Sequence, residues 1–132
     1  YDQGYLYPRM LSVFVALDPA TVENGCLNVL RGSHHLGRLD HQIVGTQTAA
    51  DPKRMPLLEN MLERVAVTMT PGSALFFHCN LLHTSAPNLS DRPRRSFVMC
   101  YNALANPQLA ERQTSAHVPC PVSADDAILK FA

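Results

Sequence analysis

The segment HTSAPNLSDRPRRS, residues 83–96, contains a histidine, a serine and an arginine at a spacing that could support chemistry. His83 ends the apolar stretch ALFFHCNLLH, and Arg94 stands where the next apolar stretch begins. A neutral imidazole is a common metal ligand, and a guanidinium presents a planar fork that suits a carboxylate. One hypothesis is therefore a loop with a metal ligand at one end and an anion-binding arginine at the other. A surface histidine and a solvated loop arginine are the plainer interpretation of the same residues.

A third interpretation of this loop is a basic patch for nucleic acid, and the charge balance disfavours it. The chain has 132 residues with 11 basic and 11 acidic side chains, so its formal net charge is zero. The run DRPRR is short and is interrupted by Pro93. We therefore expect neither nucleic acid nor an anionic membrane as a partner.

The motifs of several large enzyme classes are missing from the sequence. It contains no GxGxxG, Walker loop, GxSxG or HExxH, so dinucleotide enzymes, P-loop NTPases, common serine hydrolases and zincins have no direct support. No apolar run reaches the length of a membrane span, and no secretory signal is visible. None of the cysteines forms a CxxC pair, which favours free thiols in a reducing compartment. We therefore expect a cytoplasmic protein.

The apolar stretches mostly alternate in the manner of β-strands. Five strands are predicted, in MLSVFVAL, CLNVL, VAVTM, ALFFH and RSFVMCYNAL, with the fourth continuing towards His83. Between the first two strands, Asn24-Gly25 is the strongest short hairpin signal. One helix is predicted in DPKRMPLLENMLERV, residues 51–65, where Pro56 suits the first turn.

This order of elements predicts a mainly β fold with one short helix, arranged as an antiparallel sandwich or barrel. Residues 1–132 are expected to form a single domain. Residues 105–132 contain three prolines and few apolar residues before AILKFA, so they are expected to form an extended tail.

The other histidines are weaker candidates for a metal site. His34 and His35 lie in GSHHLG and are expected to be structural or to face a substrate. His78 precedes His83 by five residues, so alternation along one strand would place the two side chains on opposite faces. The sequence therefore assigns none of these three histidines to a metal site.

Two longer segments carry a family resemblance. VENGCLNVLRGSHHLG is similar to the pattern N-G-x-L-x-x-x-x-G-S-H, and TPGSALFFHCNLLHTSAPNLSDRPRRSFVMCY is similar to P-G-x-x-x-x-F followed by H-x-S-x-x-N-x-S-x-x-x-R. Together they resemble the phytanoyl-CoA dioxygenase family, over residues 1 to about 102. The resemblance implies a double-stranded β-helix, the cupin-like jelly roll, and an oxygenase that depends on Fe(II) and 2-oxoglutarate.

The resemblance also implies roles for five residues. His83 matches the distal iron-binding histidine, and Arg94 matches the arginine that binds the remote carboxylate of 2-oxoglutarate. Ser85 matches a serine near that cosubstrate, and Phe14 stands where relatives often have a tryptophan in the cosubstrate pocket. Asp2 stands at the carboxylate position of a His-x-Asp pair. The implied metal ligands are thus Asp2 and His83, and the implied catalytic residues are these two with Arg94.

One ligand of the family pattern lies outside the chain. The histidine of His-x-Asp would be the residue immediately before Tyr1, so we expect the chain to be a C-terminal fragment of the full jelly-roll domain. The absent histidine also leaves open a non-catalytic jelly-roll binding module. A zinc-binding cupin-like protein that uses the loop histidines is a third alternative.

The reaction implied by the resemblance is hydroxylation. Dioxygen and a small organic substrate would be the partners, and 2-oxoglutarate would be decarboxylated to succinate. Relatives that halogenate lack the carboxylate ligand, so Asp2 favours hydroxylation over chlorination. The sequence predicts neither the substrate nor the oligomeric state.

Overall fold

The computed structural model describes residues 4–5, 7–108, 119–124 and 130 of the chain. Its strands are β1 (Met10–Ala16), β2 (Leu27–Leu30), β3 (His41–Val44), β4 (Gln47–Ala50), β5 (Arg64–Val67), β6 (Ala74–His78), β7 (His83–Ser85) and β8 (Ser96–Asn102). The helices are a single 3-10 turn at Ser33–His35 and α1 (Met55–Met61). Contacts divide the chain into a unit of residues 8–103, which contains every one of these elements, and a unit of residues 1–7 and 104–132.

The larger unit contains two three-stranded antiparallel sheets, in the orders β6-β1-β8 and β5-β2-β7. In the first sheet Phe14 is paired with Leu75 and Val98. In the second sheet Leu27 is paired with Val67 and Ser85. The described residues thus form antiparallel sheets and one short α-helix, which confirms the predicted mainly β fold.

Apolar side chains from both sheets form the core. Phe14 of β1, Phe77 of β6 and Leu27 of β2 make up its buried centre. Partly buried apolar residues pack around it, namely Val29, Val67, Met69, Leu75 and Leu81. Because the cluster joins the two sheets, burial of this apolar surface holds them face to face.

The hairpin predicted at Asn24-Gly25 is wrong. β1 and β2 lie in different sheets, so the turn between them is a crossing connection. Gly25 adopts a φ of 76° there, a value that favours glycine. The amide of Cys26 donates to the carbonyl of Thr21 at 2.8 Å. The dipeptide signal identified a tight turn correctly, but pairing was decided by the other strands available to β1 and β2.

The prediction that the strand ALFFH continues towards His83 is also wrong. β6 ends at His78, where the imidazole Nδ1 accepts the amide N–H of Asn80 at 3.1 Å. The amide of Leu81 then donates to the carbonyl of His78 at 2.9 Å, and β7 begins at His83 in the other sheet. The alternation argument that separated His78 from His83 therefore does not apply, since the two residues are on different strands.

The helix is shorter than predicted, and one hairpin was not predicted at all. α1 ends at Met61 because Val65 belongs to β5, where it pairs with Val29 of β2. Pro56 lies in the first turn, as expected. β3 and β4 form a separate two-stranded sheet within residues 41–50, a region for which the sequence analysis proposed no strand.

The smaller unit is described at residues 4–5, 7, 104–108, 119–124 and 130. Within it, the side-chain amide of Asn106 donates to the carbonyl of Tyr7 at 3.0 Å. Much of the predicted tail at 105–132 lies outside the described residues, and the single domain stays a prediction. Nowhere in the described ranges is a helix long and apolar enough to cross a membrane.

Candidate metal and cosubstrate site

His83 is the first residue of β7 and has an exposed side chain. Its Nδ1 lies 2.8 Å from the carbonyl oxygen of Leu81. A carbonyl can only accept, so Nδ1 carries the proton and Nε2 of the neutral ring keeps its lone pair. The edge-on ring of Phe77 contacts the imidazole, with centroids 5.1 Å apart. The ring is thus oriented by one hydrogen bond and one aromatic contact, with Nε2 suited to bind a metal.

The short connection before His83 is anchored by a residue to which the sequence analysis gave no role. Ser33 is buried, and its Oγ accepts the amide N–H of Leu82 at 2.8 Å. The carbonyl of Leu82 accepts the amide N–H of Leu30 at 2.9 Å. Ser33 belongs to the G-S-H part of the first family pattern, which was the available signal. It fixes the backbone from which the His83 ring extends.

Arg94 is half-buried and lies just before β8. Its Nε donates to the backbone carbonyl of Asn24 at 3.0 Å. Neither terminal nitrogen of the guanidinium has a hydrogen-bond or ion-pair partner in the described part of the chain. Burial raises the pKa of the nearby Cys26 thiol, while the positive charge of Arg94 acts in the opposite direction. A partly desolvated cation with an unused fork is chemically suited to bind an external carboxylate.

The other residues predicted for the site are Ser85, Phe14 and Asp2. Ser85 is exposed and follows His83 by two residues on β7, so the two side chains lie on one face of that strand. Phe14 is buried beside Phe77, which contacts the ring of His83. Asp2 lies outside the described residues. The structure therefore connects Phe14 to His83 through Phe77, and the roles assigned to all five residues stay predictions.

A second group of histidines lies on other elements of the larger unit. The rings of His34 and His35 are 3.9 Å apart, and those of His34 and His78 are 5.8 Å apart. Burial lowers the pKa of His34, and the charges of His35 and His78 act in the same direction. No group of three His, Cys, Asp or Glu side chains within the described ranges is arranged to hold a metal ion. Burial and the two neighbouring histidines therefore favour the neutral form of His34.

A cavity of about 450 Å³ lies beside β1, β6 and β8 in the larger unit. Its lining includes Arg9, Leu11, His78 and Tyr101. Neither His83 nor Arg94 contributes to it. The cavity is therefore separate from His83 and Arg94.

The sequence pattern of the family described as Phytanoyl-CoA dioxygenase (PhyH) matches residues 1–96. Among curated relatives, a methylphosphonate hydroxylase of Gimesia maris is 38% identical over 99 residues, which cover 74% of this chain and 35% of that protein. An ectoine dioxygenase of Sphingopyxis alaskensis is 34% identical over 119 residues, which cover 80% of this chain and 38% of that protein. The chain thus spans little more than a third of the length of these two relatives.

Solved structures agree with the sequence matches. EctD from S. alaskensis with 2-oxoglutarate and 5-hydroxyectoine matches with a TM-score of 0.68 at 31% identity, over 90% of this chain and 39% of that one. The same protein with bound Fe matches with a TM-score of 0.66 at 32% identity, over 80% of this chain and 35% of that one. These matches confirm the predicted jelly-roll architecture.

Proposed function

The chain belongs to the phytanoyl-CoA dioxygenase family, and on that premise we propose that it provides part of the active centre of an Fe(II)- and 2-oxoglutarate-dependent oxygenase that hydroxylates a small organic substrate. The names of two relatives support this reaction type, since one is a hydroxylase and the other a dioxygenase. The two differ in substrate at similar identity, one named for methylphosphonate and the other for ectoine. Overall identity therefore favours neither compound class for this chain.

The observation that carries the proposal is the unused fork of Arg94. Its Nε is bound to the carbonyl of Asn24, and its terminal nitrogens have no partner in the described residues. An NH1/NH2 edge binds a carboxylate with two parallel charge-assisted hydrogen bonds. Arg94 would hold the remote carboxylate of 2-oxoglutarate in this way, with the Ser85 hydroxyl beside it. The plainer alternative, a solvated loop arginine, does not explain why the side chain is half-buried against a backbone carbonyl.

The proposed metal ligands in this chain are His83 and Asp2, which would act together with the histidine of the family's His-x-Asp pattern. His83 fits this role because its Nδ1 proton is bound to Leu81 and its Nε2 lone pair is not. When bound, Fe(II) and 2-oxoglutarate together supply the activation of dioxygen and the conversion of 2-oxoglutarate to succinate. Two histidines and one carboxylate form a donor set typical of this chemistry.

The chain's own residues contribute orientation and shielding. Arg94 would fix the far end of 2-oxoglutarate, so that its oxo-acid end points away from the guanidinium. Phe77, which packs with Phe14, would keep water from the side of the His83 ring that it contacts. Asp2 would contribute a negative charge at the metal, which disfavours a second anion such as chloride there and so favours hydroxylation.

The proposal is tested by succinate release from 2-oxoglutarate in the full-length gene product, with and without Fe(II). His83→Ala and Asp2→Ala should each lower the rate at least about 100-fold, since even loss of a residue that only orients a ligand costs 10–100-fold. His41→Ala, which changes an exposed histidine on β3, is the matched control and should leave the rate within about twofold.

Methylphosphonate and ectoine serve as the first test substrates, with mass analysis of the products at high chloride concentration. A hydroxylated product is expected from whichever substrate is accepted. Succinate release that does not depend on Fe(II) would contradict the proposed cofactors, and a chlorinated product would contradict the role of Asp2. Binding of 2-oxoglutarate without any turnover would instead support the non-catalytic module.

A further inference from the structure

We propose that Asn24 is a positioning residue for the cosubstrate, acting through Arg94. This inference rests on the proposed function, because it assumes that Arg94 binds the remote carboxylate of 2-oxoglutarate. The backbone carbonyl of Asn24 accepts the Nε–H of Arg94 at 3.0 Å, across 70 residues of sequence. The direction of the guanidinium therefore depends on how firmly the Asn24 peptide is held.

The side chain of Asn24 holds that peptide in place. It is buried, with 4% of its surface exposed, yet both of its polar atoms are satisfied within the same turn. Oδ1 accepts the amide N–H of Thr21 at 2.8 Å, and Nδ2 donates to the carbonyl of Pro19 at 2.7 Å. Two good hydrogen bonds to opposite sides of the amide leave the residue little freedom to rotate. The carbonyl that receives Arg94 is thus fixed by its own side chain.

The use of Nε determines which part of Arg94 remains available. A guanidinium offers five N–H groups in a rigid plane, and one edge contains Nε while the end of the fork contains only NH1 and NH2. With Nε bound to Asn24, the end of the fork is left for a carboxylate. A lysine at the same position could not be oriented in this way, because its ammonium is a point charge on a flexible stem.

The same turn also contacts the other end of the loop that carries Arg94. A Cβ at Gly25 would lie 2.3 Å from the carbonyl oxygen of Ala86 and 2.9 Å from that of Pro87. The backbone that follows Ser85 can therefore approach the turn only because residue 25 is glycine. Asn24 and Gly25 thus support the loop from residue 86 to residue 94 at both of its ends, which gives the N-G part of the family pattern a physical purpose.

The test measures binding to the full-length gene product loaded with Ni(II), an inert stand-in for Fe(II). Calorimetry gives the affinity for 2-oxoglutarate and for pyruvate, a 2-oxo acid that lacks the remote carboxylate. Asn24→Ala keeps the backbone carbonyl that receives Arg94 but removes the two side-chain hydrogen bonds that hold it, so it should weaken 2-oxoglutarate binding about tenfold. Pyruvate should change less than about twofold, because it does not reach Arg94. Asn24→Asp keeps the acceptor for Thr21 but replaces the donor to Pro19 with an oxygen, so it should give a loss in the same direction.

Two further variants separate positioning from general loss of structure. Thr21→Val removes a hydroxyl that accepts a long hydrogen bond, 3.4 Å, from the backbone N–H of Asn24. Thr21 also has a hydrogen bond to the Glu23 side chain. Because both side-chain hydrogen bonds of Asn24 stay intact, both affinities should be unchanged. In an Arg94→Ala background, Asn24→Ala should have no further effect on 2-oxoglutarate. Equal weakening of both ligands, or additive losses in the double variant, would show that Asn24 is only structural.

The outcomes also separate this inference from the proposed function. If the unmutated protein does not bind 2-oxoglutarate, the proposed function is wrong. If Arg94→Ala weakens 2-oxoglutarate but both Asn24 variants bind it normally, the proposed function stands and the positioning role is wrong. Should Asn24→Ala fail to fold, as judged by circular dichroism, Asn24→Asp alone decides the question.

Discussion

Arg94 and Arg95 are neighbours in sequence, and the structure uses them in opposite ways. Arg95 is bound to the carboxylate of Asp18 through its backbone N–H at 2.7 Å, its Nε at 2.8 Å and its NH2 at 2.8 Å. Arg94 makes one hydrogen bond, to the neutral carbonyl of Asn24, and the end of its fork has no partner among the described residues. Among the described residues, a carboxylate matches the charge of Arg95 and none matches that of Arg94.

The contrast shows what distinguishes a structural arginine from a candidate ligand-binding one. The run DRPRR gives no reason to separate the two, since both stand next to an apolar strand. The difference lies in what the opposing segment offers, a carboxylate at Asp18 and a fixed carbonyl at Asn24. An arginine oriented by a neutral acceptor keeps its charge available for an anion from outside the chain.

The largest effect on stability is expected at the turn that holds Arg94. Gly25→Ala would combine a positive φ with a Cβ that lies 2.3 Å from the carbonyl oxygen of Ala86, so the free energy of unfolding should fall by roughly 3 kcal/mol. Gly72→Ala is the matched control, because φ is also positive there and no atom lies within 4 Å of the new Cβ. Chemical denaturation of the three proteins measures the difference. Equal losses in the two variants would mean that the close approach at Gly25 is not important.

The next largest effect is expected on the affinity for 2-oxoglutarate when Arg94, but not Arg95, is replaced by lysine. Arg94→Lys keeps the charge but loses the fork, so affinity for 2-oxoglutarate in the Ni(II)-loaded full-length protein should fall about tenfold or more. Arg95→Lys should change that affinity less than about twofold, because Arg95 is bound to Asp18. Calorimetric titration of both variants measures the contrast. Similar losses in both would remove the distinction between the two residues.

Much of the fold could be predicted because strand alternation is a local signal. β1 and β8 were predicted within a residue or two of their observed ends, and Pro56 marked the start of α1 correctly. Pairing could not be predicted, because Asn24-Gly25 fixes a tight turn but not which strands lie beside it. The break after His78 depends on a local hydrogen bond of its ring to Asn80, for which ALFFHCNLLH gives no periodic signal.

In the candidate site, His83 and Arg94 could be predicted from the sequence, but the residues that support them could not. His83 and Arg94 were identified because their spacing matches a family pattern, whereas no local rule applies to an isolated histidine or arginine. Ser33 and Asn24 received no role, because each acts through a contact distant in sequence, with Leu82 and Arg94 respectively. Such contacts become visible only when the register of β2 with its neighbours is known.

The smallest expected effect is the pH dependence of the stability that the Asp18–Arg95 ion pair contributes. Hydrogen bonds from the Arg95 side chain, then its backbone N–H, lower the pKa of Asp18 from 3.8 to about 2. A carboxyl group whose pKa is lower in the folded state stabilises the fold above its unfolded value, and this stabilisation is lost as pH falls through the folded value. The advantage of the unmutated protein over Asp18→Asn in free energy of unfolding should therefore be constant near pH 5 and shrink between about pH 4 and pH 2.

The effect should be small, because Arg95 is largely exposed to solvent, and added salt should reduce it further. Urea denaturation of the two proteins at each pH measures it. The same comparison in an Arg95→Ala background, which lacks the partner of Asp18, is the control. A difference that stays constant down to pH 2 would mean that Asp18 and Arg95 are not paired in solution.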